Sequence, residues 1–118
     1  MATELRIKRA YDEPAAADGL RILVDRLWPR GLARQEARID HWAKDVAPST
    51  ELRRWFAHDP AKWPEFCRRY EAELRENEAA VEALRARIGK KTATLLFAAK
   101  DAGHNNAVVL RDVLAAGD

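Results

Sequence analysis

Residues 20–31 read LRILVDRLWPRG, and this stretch decides the fold. Its apolar centre, Ile22-Leu23-Val24, is continuous rather than alternating, the pattern of a strand covered on both faces. Pro29 and Gly31 end it, since proline offers no N–H to a ladder and glycine accepts turn geometry. Working outward, residues 92–99 (TATLLFAA) form a second run of this kind, the most apolar in the chain. Leu5-Arg6-Ile7-Lys8 alternates as a half-buried strand does and runs on towards Tyr11.

Helical periodicity fills the intervals. Phe66, Tyr70, Leu74, Asn77, Val81, Leu84 and Ile88 recur every three or four residues, which predicts one long amphipathic helix stopped by Gly89. Asp59 and Pro60 supply its cap and first position, and Pro64 moves its regular start forward. Ser49 or Thr50 caps an earlier helix with Leu52, Trp55 and Phe56 inward. Asn105 or Asn106 caps a last one with Val109, Leu110, Val113 and Leu114 inward. Residues 33–47 fit either a short helix carrying Ile39, Trp42 and Val46 or a strand through Ile39, His41 and Ala43. Strands separated by helices predict an α/β fold. We expect a small, largely parallel sheet of about three strands flanked by helices, with one long helix before the last strand. A single domain spanning residues 1–118 accommodates all of it.

Composition sets limits on function. The chain is 47% hydrophobic and 34% charged, so it can build and coat a core without staples. Lys plus Arg number 21 against 19 Asp plus Glu, a net charge of +2, which excludes a strongly basic arm or an acidic tail. The single Cys67 excludes an internal disulfide and a multi-cysteine metal site, and three scattered histidines match no ligand spacing. The start MATELRIKRAYDE lacks the apolar run of roughly 7–15 residues of a signal peptide. No stretch reaches the roughly 20 apolar residues of a membrane span. A cytoplasmic protein without a membrane partner is expected.

In parallel sheets ligands gather beyond the carboxyl ends of the strands, so two junctions carry the candidate chemistry. In DRLWPRG, Arg26 and Arg30 can clamp a phosphate or carboxylate with forked N–H groups, and Trp28 can stack on a planar ligand. The plainer alternative buries Trp28 and pairs Arg26 with Asp25 or Asp12. In KDAGHNN, a strand end followed by a helix start favours an anion through free N–H groups and the helix dipole. Lys100 adds a cation, and Asn105 and Asn106 cap the helix or donate to the ligand. His104, oriented by Asp101, is the candidate general acid or base. His58, at the end of a helix, joins the site if that end faces the sheet. No cofactor can be named, because the chain contains no Gly-rich cofactor loop.

Three blocks in order, DRLWPRG, APSTELRRWFAHDP and TLLFAAKDAGHNNAVVLRDVL, resemble the YeaO-like family, a bacterial domain of unknown function. The resemblance runs from Ile7 to about Leu114. Matching positions include Asp25, Arg26, Trp28, Pro29, Arg30, Gly31, Pro48, Ser49, His58, Asp59, Lys100, Asp101, His104, Asn105 and Asn106, while Pro64 departs from the pattern. The resemblance implies a small α/β cytosolic protein and carries no established reaction. The function expected is binding of a small anionic or phosphorylated ligand at the strand ends, with hydrolase- or transferase-like turnover an open question. The alternative is a non-enzymatic module that binds protein or nucleic acid through exposed Trp and Arg. Arg21, Arg26, Arg30, Arg34 and Arg38 outnumber Asp25 and Glu36 in segment 20–38, but no nucleic-acid-binding motif accompanies them.

Overall fold

In a computed structural model, which describes residues 4–116, the chain forms a four-stranded, wholly parallel sheet flanked by helices. The strands are β1 (Leu5–Arg9), β2 (Leu20–Leu23), β3 (His41–Trp42) and β4 (Ala93–Phe97), in the order β1-β4-β2-β3. The helices are α1 (Arg34–Ala37), α2 (Thr50–Phe56), α3 (Trp63–Glu76), α4 (Glu78–Ile88) and α5 (Asn106–Ala116). The predicted α/β class is the one observed. Of the two readings of residues 33–47 the strand is realised in part, as the two-residue β3 through His41, which adds a fourth strand to the expected three. The helix carrying Ile39, Trp42 and Val46 is not, because α1 ends at Ala37 and Trp42 lies on β3.

The most apolar strand is the central one. All five residues of β4 are buried, with Leu5 to Arg9 paired along one side and Leu20 to Leu23 along the other. Successive side chains of a strand point to opposite faces, and that alternation sorts the core into two layers. Ile22, Leu95 and Phe97 meet Phe66, Tyr70, Leu84, Leu110 and Leu114 from the helices on one face. Leu23 and Leu96 meet Ala10, Trp28, Leu32, Ile39 and Trp42 on the other. Tyr70 is fully buried, and its hydroxyl donates to the Val46 carbonyl at 2.5 Å, which satisfies the one polar atom it brings inside.

Two boundaries differ from expectation. β2 ends at Leu23, well before Pro29, because the side chain of Asp25 takes over the ladder. Val24 N–H still reaches Leu96 O (3.0 Å), but the next strand donor, Ala98 N–H, goes to Asp25 Oδ2 (2.9 Å). The predicted long helix bends at Asn77 into α3 and α4. Asn77 leaves helical geometry (φ −110°, ψ 40°), and its side-chain amide donates to the Asp45 carbonyl at 2.5 Å. Asparagine competes well for backbone partners, so it is a natural place for a helix to break. Pro64 sits in the first turn of α3, where a missing N–H costs nothing. Among the described residues no helix is long and apolar enough to cross a membrane.

Candidate functional site

A wholly parallel sheet sends every strand's carboxyl end to the same edge, and a cleft of about 510 Å³ opens there. It brings together segments distant in sequence: residues 25–30, Pro48, Arg53, Phe56 and His58, Phe66, Ala98 and Ala99, and residues 104–106. DRLWPRG, the end of α2 and the GHNN turn therefore share one concavity. A larger hollow of about 830 Å³ lies between residues 10–16 and 32–38. Its buried cation, Arg21, is fully engaged with Asp18 (2.5 Å) and the Ala37 carbonyl (2.9 and 3.1 Å), which leaves little for a ligand.

Asp25 is the residue on which the cleft is assembled. Besides the Ala98 N–H, its carboxylate accepts from Asn106 Nδ2 (3.1 Å), and its backbone carbonyl accepts from Trp42 Nε1 (2.7 Å). One side chain thus ties the end of β2 to the end of β4 and the start of α5. Burial raises the carboxyl's pKa above its ordinary value, opposed by the Ala98 and Asn106 hydrogen bonds and by the charges of Arg53 and His58.

The arginines divide their roles. Arg26 pairs with neither Asp25 nor Asp12; it donates from Nε to the Pro48 carbonyl (3.0 Å) and from a terminal nitrogen to that of Ala47 (3.2 Å). It lines the cleft while clipping the loop to the turn before α2. Arg30 is exposed, and its guanidinium has no partner among the described residues. Arg53, projecting from α2, likewise makes no hydrogen bond with its guanidinium among the described residues, although it sits close enough to Asp25 to influence its charge. Trp28 is half-buried. Its indole N–H donates to Leu32 O (2.7 Å), its ring lies edge-on to Trp42, and the Arg34 guanidinium covers one face at 4.3 Å. Stacking on a ligand is therefore confined to what Arg34 leaves open.

Two histidines reach the cleft from segments distant in sequence. His58 follows α2 in left-handed geometry (φ 58°), directly after Ala57 (φ 47°). Two successive non-glycine residues in that region are costly, by about 1–3 kcal/mol each, so the turn that exposes this imidazole is held at an energetic expense. His104 is half-buried, with Nδ1 2.9 Å from Asp101 Oδ2 and its ring edge-on to Trp63 at 5.2 Å. Asp101 is kept below the ordinary carboxylate range by the Gly103 N–H and then by the His104 ring. With Nδ1 engaged, Nε2 is the ring nitrogen available to a ligand.

The remaining candidates are structural or peripheral. Asn105 is buried and caps α5, its Oδ1 accepting from Val108 N–H (3.2 Å) and its Nδ2 donating to Asp101 O (2.9 Å). Asn106 donates to Val24 O (2.9 Å) as well as to Asp25, so the two amides hold the helix start in place. Lys100 is exposed and does not line the cleft, nor does Asp101. His41 lies on β3, away from these groups. Among the described residues no group of three or more His, Cys, Asp or Glu could hold a metal ion. Sequence reasoning overlooked Asp25 as a site residue, although it opens the DRLWPRG motif. It also overlooked Arg53, Leu27 and Tyr11, which reach the cleft only through tertiary folding.

Comparison with known proteins adds the lineage. A family model described as an inactive DUF488-N3 subclade matches residues 4–117. The uncharacterized protein YeaO of Escherichia coli K12 is 42% identical over 110 residues, 93% of this chain and 96% of that one. The uncharacterized proteins Rv3073c of Mycobacterium tuberculosis H37Rv and Mb3100c of Mycobacterium bovis are each 40% identical over 112 residues, 95% of this chain and 94% of theirs. No solved structure matches the chain.

Proposed function

The chain belongs to the DUF488-N3 family, in the subclade described as inactive, and on that premise we propose that its strand-end cleft binds a small anionic, phosphorylated ligand without turning it over. The observation that carries this reading is the convergence of three sequence-distant motifs on one cleft in which Arg30 and Arg53 keep their guanidinium groups uncommitted. Forked donors of this kind match phosphate oxygens in geometry and charge. His104, held at Nδ1 by the Asp101 carboxylate, turns Nε2 towards the anion. The start of α5 adds N–H groups and the positive end of a helix dipole. Asp25 opposes an anion only when ionised, and its burial works against ionisation. The subclade's description favours binding over chemistry, so the Asp101–His104 pair serves to aim a donor rather than to shuttle protons.

Protein- or nucleic-acid binding through exposed Trp and Arg has less support. All four tryptophans are half-buried, and Trp28, Trp42 and Trp55 already have a cation over the ring.

Thermal shift and calorimetry with inorganic phosphate and a panel of phosphorylated metabolites test the proposal. Bound ligand raises the melting temperature with concentration. Arg30→Ala and Arg53→Ala are each expected to weaken binding by about tenfold, the loss of a charged hydrogen bond. Arg111→Ala, remote on α5, should leave binding intact. No stabilisation by any phosphate compound would refute the reading.

A further inference from the structure

Among the described residues two large apolar side chains are exposed, Leu27 (58%) and Tyr11 (41%), and both line the strand-end cleft. Single exposed apolar side chains need no explanation, but two that both border the cleft holding Arg30 and Arg53 do, although Tyr11 also borders the larger hollow beside it. Neither owes its exposure to a loose loop. Arg26 is clipped to Pro48 and Ala47, Trp28 to Leu32, and Asp25 to Ala98 and Asn106, so Leu27 is held between anchored neighbours. Tyr11 donates its hydroxyl to Arg30 O (2.8 Å) and carries the Arg9 guanidinium over its ring at 5.0 Å. These ties hold both groups at the surface in the structure. Phe56 and Phe66, stacked at 4.4 Å, continue the apolar lining inward.

Resting on the anion-binding reading, we infer that the ligand is amphipathic: a phosphate monoester of an aromatic body, with the phosphate at Arg30 and Arg53 and the ring against Leu27. Charge complementarity fixes the head, and the pinned apolar mouth fixes the body. A sugar or polyol phosphate would satisfy the cations and leave Leu27 and Tyr11 in water. An aryl phosphate removes both kinds of surface from solvent at once.

Isothermal titration of the intact chain with three probes, inorganic phosphate, glycerol phosphate and phenyl phosphate, decides the matter. Phenyl phosphate is expected to bind about tenfold more tightly than glycerol phosphate, as burial of a ring face implies. Leu27→Ser should bring phenyl phosphate down to the level of glycerol phosphate while leaving inorganic phosphate unchanged. Because Leu27 is exposed, that variant should keep its melting temperature. Equal binding of the two esters by the native chain overturns this inference and leaves the anion reading standing. Failure of all three probes to bind overturns both. Concentration-dependent self-association abolished by Leu27→Ser would assign the patch to a second copy of the chain and likewise overturn the inference.

Discussion

Asp25 ties the strand ends together and at the same time lines the cleft. Its carboxylate replaces a rung of the β2–β4 ladder and reaches the start of α5, and the same group sits in the cleft among cations. Because burial raises its pKa in the folded state, the native chain holds this proton more tightly than the unfolded chain does. Below both pKa values the difference vanishes. As pH rises through the unfolded and then the folded value, the native state loses stability from this residue. Asp25→Asn removes that slope, and its altered hydrogen bonding adds only a pH-independent offset. Denaturant unfolding of both proteins from acid to neutral pH should show the native-minus-variant stability falling as pH rises; parallel curves would contradict this. At this scale the sequence was informative where a residue's chemistry was local. Arg30, His58 and His104 all reach the cleft from motifs visible in the chain. Arg26 reads as a ligand clamp until the carbonyls of Ala47 and Pro48, more than 20 residues away, come within its reach. Arg53 lies within the APSTELRRWFAHDP block, but no local pattern singles out its side chain.

Elements were legible where their ends are set by neighbouring residues and misread where a distant group sets them. The Ser49 cap of α2 and the Asp59-Pro60 turn before α3 follow from local rules and are present. The break at Asn77 depends on a carbonyl 32 residues upstream, and the early end of β2 depends on an N–H 73 residues downstream. The α2 cap also reaches beyond its own helix. Ser49 Oγ accepts from Leu52 N–H (3.1 Å) and donates to Glu73 Oε2 (2.6 Å), while Glu73 Oε1 accepts the Ser49 N–H (2.8 Å). That pair joins the start of α2 to α3, two of the helices that border the cleft. Ser49→Ala removes the cap and strands one carboxylate oxygen, at an expected cost of about 1–2 kcal/mol. Equilibrium unfolding with an unchanged denaturant slope would register it. A loss of only a few tenths would mean that the Glu73 tie contributes little.

Across the whole molecule, the fit of β2 against β4 is the tightest constraint. Gly19 enters β2 with φ +65°, and a Cβ there would stand 2.2 Å from the Thr92 carbonyl oxygen. Backbone on both sides leaves no flexible group to give way, so Gly19→Ala should destabilise the chain by several kcal/mol, more than a typical point substitution. A variant that melts within a degree or two of the native chain would show that the strand can shift. The class of fold was legible because two apolar runs cannot both be buried without helices on either side. The strand order was not, since pairing across 70 to 90 residues leaves no local trace. That order, with the last strand in the middle, has a consequence for biosynthesis. While the chain is being made, β1 leaves the ribosome with no neighbour and β2 with only the two-residue β3, and the strand that joins them is completed only at Phe97. Folding is therefore concentrated near the end of translation, and the nascent chain depends until then on chaperones or on its helices to shield two open strand edges.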